Sequence, residues 1–294
     1  MFKITSPMLA ATLKDINQLD YSKSYLATPK LDGIRALMIG GHLVSRTFKP
    51  IRNNYIRKIL EAILPDNVDG EIICQGGFQV TTSGVMCENG SPIFLYYMFD
   101  YVKDDLKKGY KDRIQDMMQL KFPGHIIKLL IPKKIKNYND LKKFEKDCIA
   151  KGFEGVILRT PDSPYKCGRS TAKQEWLLKL KRFTDDEAVI IGFTEKLHND
   201  NETTKDAFGH TVRSSHKENK RPAETLGALI VRDIKTDIEF EIGTGMNDEL
   251  RQKIWNDKDN WISKIIKYKH FSLSGVKTKP RFPVYLGVRD KDDM

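Results

Sequence analysis

The chain has 294 residues, of which 40% are hydrophobic, and it carries a formal net charge of +11 with a pI near 9.3. This length is enough for one large domain or two smaller ones, and the basic balance favours a polyanionic partner, most simply nucleic acid. The sequence lacks a signal peptide and any run near the roughly 20 apolar residues of a membrane span, and its four cysteines are widely spaced, so we expect a soluble intracellular protein without disulfides.

The first 186 residues alternate between segments typical of strands and of helices. β-Branched and aromatic residues predict strands at residues 24–30 and 34–40, around an LDG turn, and at 70–74, 93–102, 155–159 and 175–181. Helical patterns follow at residues 53–62, 104–120 and 139–152. The last of these helices is expected to begin at a cap, Asn139 or Asp140, and to stop at Gly152.

From residue 187 onward the pattern becomes rich in strands. Strands are predicted at residues 188–195, 226–233, 238–245, 261–270 and 282–290, with one helix at 246–255 before the fourth strand. Five strands with a helix in this place suit a small barrel of the OB type, a fold that commonly binds nucleic acid. We therefore predict an α+β chain of two domains, 1–186 and 187–294.

A long polar segment, residues 196–222, separates the first two predicted strands of the barrel. It contains three histidines and few apolar residues, too few to build a core. A loop of this length inside a small barrel is usually functional or disordered. We predict an inserted loop or hairpin.

The stretch KLDGIR places Lys30 at the end of one predicted strand, Asp32 in the turn that follows and Arg35 in the next predicted strand. An ammonium group is costly to bury, and a lysine is a useful nucleophile only when it is neutral. Nearby cations and loss of water can favour the neutral amine. From these residues alone, Lys30 is either a half-exposed strand lysine or a reactive amine.

The remaining chain carries five further segments that, together with KLDGIR, resemble the ordered motifs of the covalent nucleotidyltransferases. They are SRTFKPIRN, DGEII, YMFDYV, EGVILR and LLKLK. The chain is identified as a member of the ATP-dependent DNA ligases, with its closest likeness to the minimal viral enzymes. The resemblance implies a nucleotidyltransferase domain of antiparallel sheets with helices, followed by a five-stranded OB-fold barrel.

The resemblance also implies a role for each residue that matches a motif. Lys30 would attack the α-phosphate of ATP and hold AMP, beside Asp32 and Arg35. Phe99 would stack on adenine, and Glu71 would contact ribose. Glu154, with Glu71, would hold Mg²⁺, with Mn²⁺ as an alternative. The other residues expected to contact ATP or its phosphates are Thr28, Arg46, Lys179, Lys181, Arg281 and Asp293.

Nicked duplex DNA is the expected partner, bound by a monomer. In the minimal viral enzymes the segment that corresponds to 196–222 closes around the duplex. The residues expected to contact DNA phosphates are Arg46, Lys49, Lys205, Arg213, Lys217, Lys220 and Arg221.

Three functions remain open at this point. The first is an ATP-dependent DNA ligase that seals 5′-phosphate/3′-hydroxyl nicks through a lysyl-AMP intermediate. The second is another covalent nucleotidyltransferase, either an RNA ligase or an mRNA guanylyltransferase. The third is a basic nucleic-acid-binding protein with an inactive first domain. The presence of the nucleophile, the carboxylates and the basic residues favours catalysis, and the segments SRTFKPIRN and FGHTVRSSHK favour a ligase.

Overall fold

The computed structural model describes residues 3–122, 125–181, 183–205, 211–214, 219–271 and 279–289. Contacts between Cα atoms divide these residues into two compact units, the first ending at residue 181 and the second beginning after it.

The first unit combines short strands with four helices among its described residues. The strands are β1 (Met8–Leu9), β2 (Ala11–Thr12), β3 (Tyr25–Lys30), β4 (Ile34–Ile39), β5 (His42–Ser45), β6 (Val68–Cys74), β7 (Phe94–Tyr101), β8 (Ile127–Leu129), β9 (Lys133–Ile135), β10 (Gly155–Arg159), β11 (Gly168–Arg169) and β12 (Leu178–Leu180). The helices are α1 (Asn54–Ile63), α2 (Phe78–Met86), α3 (Tyr110–Met118) and α4 (Tyr138–Ala150).

Two five-stranded sheets form the frame of this unit. The first sheet has the order β2-β12-β10-β3-β9 and the second β5-β4-β6-β7-β8, while β1 pairs with β11. Most neighbours are antiparallel; the pairs β2–β12, β7–β8 and β1–β11 are parallel. The register places Lys30 opposite Gly155 in the first sheet and Arg35 opposite Glu71 in the second. Residues distant in sequence thereby become neighbours.

Each sheet buries one face against helices. The second sheet packs against the apolar sides of α1, α2 and α3, where Ile56, Leu60 and Val85 are buried. The first sheet packs against α4 through Leu141 and Cys148. Burial of such side chains contributes about 1.5–3 kcal/mol each relative to exposure.

The second unit is a barrel built on long strands. Its elements are β13 (Thr184–Asn199), β14 (Thr203–Lys205), β15 (Thr211–Arg213), β16 (Lys220–Asp233), β17 (Glu239–Ile242), α5 (Asp248–Asn256), α6 (Lys258–Trp261), β18 (Ile265–Phe271) and β19 (Arg281–Val288). The sheet order is β17-β16-β13-β18-β19. The amide of Tyr285 donates to the carbonyl of Thr244 at 2.9 Å, which joins β19 to the segment after β17 and closes the barrel.

The insert between the first two barrel strands is an extension of those strands. The register pairs Leu197 with Pro222 and Asn199 with Lys220, so β13 and β16 continue into the segment for which a loop or hairpin is predicted. The short strands β14 and β15 pair with each other beyond this point. The predicted α+β class, with a five-stranded barrel in the second half, is confirmed. The predicted boundary between residues 186 and 187 lies within β13.

Several predicted elements differ from the observed ones. The helix predicted at 104–120 covers only Tyr110–Met118, because Gly109 has extended backbone and begins it. The cap of α4 is Asn137, whose side chain accepts from the Asp140 amide at 2.9 Å, and not Asn139 or Asp140. Helix α2 was not predicted, since its Thr, Val and Gly residues have low helix propensity.

Candidate active site

A cavity of about 540 Å³ lies in the first unit, with residues of both sheets in its wall. The first sheet contributes residues from three adjacent strands, and the second contributes residues from β4, the β5 end, β6 and β7. The residues predicted for the site that line the cavity are Thr28, Lys30, Arg35, Arg46, Glu71, Phe99 and Lys179. The fold thus brings seven of the predicted residues to one space.

Lys30 is the last residue of β3, and its ammonium group is held by acceptors. Its Nζ donates to Glu154 Oε2 and, at 3.2 Å, to the carbonyl of Leu31. The Lys30 side chain retains 23% of its exposure, so it faces the cavity and is partly shielded from water. The Lys30 amine, which is the group that could react, is therefore held in an ion pair with Glu154.

Glu154 stands between two lysines. Its Oε1 accepts from Lys181 Nζ at 2.9 Å, and its Oε2 accepts from Lys30 Nζ. Burial by itself raises the pKa of Glu154, but the charges and hydrogen bonds of Lys30 and Lys181 outweigh that effect and lower the pKa below its usual value. Glu154 is therefore ionised at neutral pH.

The glycine after Glu154 is required by the packing of the strands. Gly155 has a φ of +148°, and a Cβ there would lie 2.1 Å from the Leu180 carbonyl oxygen. Only glycine permits β10 and β12 to approach this closely. The approach sets Glu154 and Lys181 side by side.

Glu71 fixes the turn that follows Lys30. Its Oε1 accepts from the Gly33 amide at 2.7 Å, and a Cβ at Gly33 would lie 2.4 Å from the Ile72 carbonyl oxygen. Burial raises the pKa of the Glu71 carboxyl, and Lys30, the Gly33 amide and Arg35 offset only part of this rise. The glycine of KLDG is thus needed for the contact between turn and carboxylate.

Arg35 is held from behind by Asp69. The guanidinium donates to Asp69 through Nε at 2.8 Å and Nη2 at 2.5 Å, and to the Met8 carbonyl through Nη1 at 2.6 Å. Burial would lower the pKa of Arg35, but Asp69 outweighs it and raises the pKa, so the guanidinium stays charged. Its carbon lies 5.5 Å from the centre of the Phe99 ring, which lines the same cavity.

Thr28 on β3 and Lys179 on β12 lie opposite Ile157 of β10, the strand between them in the first sheet. Burial lowers the pKa of Lys179, and the positive charges of Arg169, Lys181 and Lys30 lower it further. An anion in the cavity would relieve this repulsion.

Three predicted residues of the first unit lie at or beyond the cavity rim. Arg46 is exposed and contributes to the wall, while Lys49 is exposed in the turn after β5. Asp32 lies half-buried in the turn between β3 and β4.

The predicted residues of the second unit lie along the barrel and its extension. Arg281 begins β19, with its guanidinium carbon 5.7 Å from the Phe282 ring centre. Arg213 donates to the Asn201 carbonyl at 2.5 Å, and Arg221 pairs with Asp200 at 2.7 Å. Lys220 begins β16, and the backbone of Lys205 ends β14. Lys217 and Asp293 lie outside the described residues.

The sequence reasoning missed a buried polar network next to the cavity. Asp100 accepts from Arg113 Nε at 2.8 Å and also from Arg159, which lines the cavity. Tyr165 donates to Asp69 at 2.7 Å. The sequence does carry one indication of this network, an aspartate within an apolar strand pattern in VDGEII and in MFDYV. A buried carboxylate without a partner would destabilise the fold, so each of these aspartates needs a partner from elsewhere in the chain.

Two findings concern metals and membranes. Within the described ranges, no three or more His, Cys, Asp or Glu residues form a group that could hold a metal ion. The described helices include none with the length and apolar character required to cross a membrane.

Comparisons with known proteins agree with this geometry. A family model for the ATP dependent DNA ligase domain matches residues 7–181, and one for the DNA ligase OB-like domain matches residues 219–289. The crystal structure of Chlorella virus DNA ligase-adenylate is 39% identical over 97% of this chain and 100% of that chain, with a TM-score of 0.57.

More distant relatives share the same architecture. A Lig E DNA ligase structure is 23% identical over 97% of this chain and 99% of that chain, with a TM-score of 0.73. The DNA ligase of Haemophilus influenzae is 23% identical over 270 residues, which are 90% of this chain and 86% of that protein. The expected pair of domains, a nucleotidyltransferase domain and an OB-fold domain, is confirmed.

Proposed function

We propose that Lys30 is the nucleophile of this chain, which belongs to the ATP-dependent DNA ligase family. The protein is an ATP-dependent DNA ligase, which seals nicks between a 5′-phosphate and a 3′-hydroxyl through a lysyl-AMP intermediate and an adenylated DNA end. The observation that carries the assignment of Lys30 is its place at the end of β3, inside the cavity and against Glu154.

The first chemical step joins the Lys30 nitrogen to the α-phosphorus of ATP. The nitrogen must first lose a proton, which Glu154 would accept along their hydrogen bond, because an ammonium group has no free electron pair. The N–P bond then forms as the bond from the α-phosphorus to the bridging oxygen breaks, and pyrophosphate leaves. Glu154 and Lys181 hold the side chain in place before attack.

The cavity wall offers a place for each part of ATP. Phe99 gives adenine a ring to stack on, Glu71 and Arg35 offer polar groups to the ribose with Thr28 nearby, and Lys179 offers positive charge to the phosphates. Lys181, which donates to Glu154 and does not line the cavity itself, adds positive charge behind that carboxylate. Burial and the positive charges of Arg169, Lys181 and Lys30 lower the pKa of Lys179, and a bound phosphate would stabilise its charged form, which supports this assignment.

The donor set fits a divalent cation held mainly by the nucleotide. Mg²⁺ prefers one or two carboxylates together with phosphate oxygens and waters. Glu154 and Glu71 are close enough that the charge of Glu154 raises the pKa of Glu71, and together they supply such a sparse set. They would hold Mg²⁺, or Mn²⁺, which would neutralise charge on the phosphate oxygens.

We assign the remaining predicted residues to contacts with DNA and with pyrophosphate. Arg46 and Lys49, at the rim, would meet phosphates of the nicked strand. Lys205, Arg213, Lys220 and Arg221, on the extension of the barrel, would meet phosphates elsewhere on the duplex, and we assign Lys217 to the same role. Arg281 and Asp293 would orient the pyrophosphate as it leaves. One chain supplies every group, so a monomer suffices.

The test is covalent labelling. The protein is incubated with Mg²⁺ and either ATP or GTP labelled at the α-phosphate, then denatured. Label retained from ATP and released by acid, as expected of a phosphoramidate, supports the proposal. Retention from GTP alone would contradict it.

A further inference from the structure

A closed ring of hydrogen bonds lies behind Arg35. The Met8 amide donates to Tyr165 Oη at 3.2 Å, and Tyr165 Oη donates to Asp69 Oδ2 at 2.7 Å. Asp69 accepts two bonds from Arg35, and Arg35 donates to the Met8 carbonyl, which completes the ring. Its members come from β1, β4, β6 and the segment before β11.

The chemistry of the groups fixes the direction of each bond. The Asp69 carboxylate accepts hydrogen bonds, so the Tyr165 hydroxyl uses its one proton to donate to Asp69. Its oxygen is then free to accept from the Met8 amide. Asp69, Met8 and Tyr165 are all buried, so these groups have little access to water that could replace a missing partner.

The ring leaves part of the guanidinium for a ligand. Arginine has five N–H donors, and bonds to Asp69 and Met8 use three of them among the described residues. Arg35 lines the cavity with 18% of its side chain exposed. The remaining two donors can serve a ligand only if the guanidinium plane is held in one orientation.

We propose that Tyr165 is a positioning residue that orients Arg35 for the adenylation step. Loss of the Tyr165 hydroxyl would disturb the orientation of Arg35 in two ways. Asp69 would lose one of the donors that fix its carboxylate plane. The Met8 amide would lose its acceptor, and movement of Met8 to find another would shift the carbonyl that anchors Arg35.

This inference rests on the proposed function, in which Arg35 contacts the nucleotide. The decisive variant is Tyr165→Phe, which keeps the ring and removes only the hydroxyl. Tyr268→Phe is the matched control: Tyr268 is buried in the second unit and donates to Asp233 at 2.6 Å, so it loses the same kind of bond. Both variants are compared with wild type below the lower of their two melting temperatures.

The expected result separates position from stability. Both variants should lower the melting temperature by similar amounts. Tyr165→Phe should lower kcat for adenylation about tenfold or more, with KM for ATP changed by less than about threefold, because a small displacement of an aligned group affects the reacting geometry most. Tyr268→Phe should leave both constants near wild type. Equal kcat in the two variants would overturn the proposal.

A double-mutant cycle tests whether Tyr165 acts through Arg35. In an Arg35→Lys background, Tyr165→Phe should produce little further loss of kcat, because the guanidinium that it positions is already gone. Additive losses would show that Tyr165 acts on its own and would overturn the proposal. If Arg35→Lys alone leaves adenylation unchanged, the assignment of Arg35 in the proposed function fails instead.

A second measurement does not depend on the activity of a variant. The Nε–H of Arg35, assigned in protein labelled with ¹⁵N-arginine by its loss in Arg35→Lys, should exchange slowly with solvent in the wild type. Fast exchange there would show that the ring does not hold Arg35, whatever the fate of Tyr165→Phe.

Discussion

The Lys30 ammonium and the Glu154 carboxylate form an ion pair at the edge of the cavity, although 124 residues separate them in the chain. The antiparallel register of β3 and β10 sets Lys30 opposite Gly155, directly after Glu154. The pair holds the amine in place, and the carboxylate also accepts from Lys181 at 2.9 Å.

Glu154→Gln should weaken both folding and catalysis. The change leaves two shielded ammonium groups without their carboxylate, and we expect a loss of roughly 3 kcal/mol in the free energy of unfolding at pH 7. The rate of adenylation should also decrease, because Glu154 no longer holds the Lys30 side chain in place. Urea denaturation and covalent labelling measure the two effects. Glu239→Gln, which removes an exposed partner of Arg232, is the control and should leave the free energy of unfolding almost unchanged, because solvent screens an exposed ion pair.

The same pair predicts a dependence on pH. The pKa of Glu154 is lowered in the folded protein, so its contribution to stability is present above the unfolded pKa near 4.5 and is lost as the pH falls through the folded value. Glu154→Gln should therefore lie closer to wild type at acid pH than at pH 7. If the difference in the free energy of unfolding between Glu154→Gln and wild type is the same at acid pH and at pH 7, the ion pair does not stabilise the fold.

Asp100 should stabilise the first unit down to strongly acidic pH. Burial would raise its pKa, but Arg113 and Arg159 outweigh burial and lower the pKa to about 2. The resulting stabilisation, about 2 kcal/mol, is present above the unfolded pKa near 3.8 and is lost as the pH falls towards about 2. Asp100→Asn should remove that acid-dependent part in urea denaturation, whereas Asp162→Asn, at an exposed ion pair with Lys111, should retain it.

Replacement of residues 200–219 by a short Gly-Ser linker should separate DNA binding from adenylation. The cut keeps the paired residues Asn199 and Lys220, so the barrel strands remain intact. Lys30 should still be adenylated, while affinity for a nick falls and its salt dependence flattens, because fewer condensed counterions are released.

A control for that experiment removes charge from another surface. Lys142, Lys143 and Lys146 are exposed on α4, and their combined change to Gln should leave the salt slope unchanged. If the linker variant binds a nick with the affinity and salt slope of wild type, the extension has no part in holding DNA.

A chain that ends at Arg289 tests the assignment of the tail. This end preserves β19, including the pairing of Val288 with Ile266 and of Arg289 with Glu187 at 2.6 Å. If Asp293 handles pyrophosphate, self-adenylation should slow far more than sealing of a nick that is already adenylated. Equal losses in the two assays would indicate a fault in the barrel instead.

Much of the site could be predicted because short sequence patterns carry it. KLDG supplies a lysine and the glycine that its turn requires, and EGV supplies the carboxylate and the glycine that allows close approach of β12. Strand alternation predicts Lys179 and Lys181 on one face, whereas β12 ends at Leu180 and only Lys179 of the two lines the cavity. The role of each residue, however, came from the resemblance to the ligases, since spacing alone left Lys30 undecided.

The rest could not be predicted because it depends on tertiary contacts. Asp69, Asp100 and Arg113 are fully buried, and only partners from distant segments make that tolerable. Helix α2 and the short strands β8 and β9 have no strong pattern of their own. The polar residues of 196–222 left a loop and a hairpin both open, and only the pairing of β13 with β16 across the segment distinguishes them.

The most direct test of the whole account is Lys30→Ala in two assays. The variant, with Lys179→Ala for comparison, is incubated with Mg²⁺ and α-labelled ATP, and then with a nick that is already adenylated. We predict that Lys30→Ala retains no label but still seals the adenylated nick, and that Lys30→Arg behaves alike, because a guanidinium stays charged. Lys179→Ala should label more slowly and on the peptide that contains Lys30. Substantial labelling of Lys30→Ala by ATP would contradict the account.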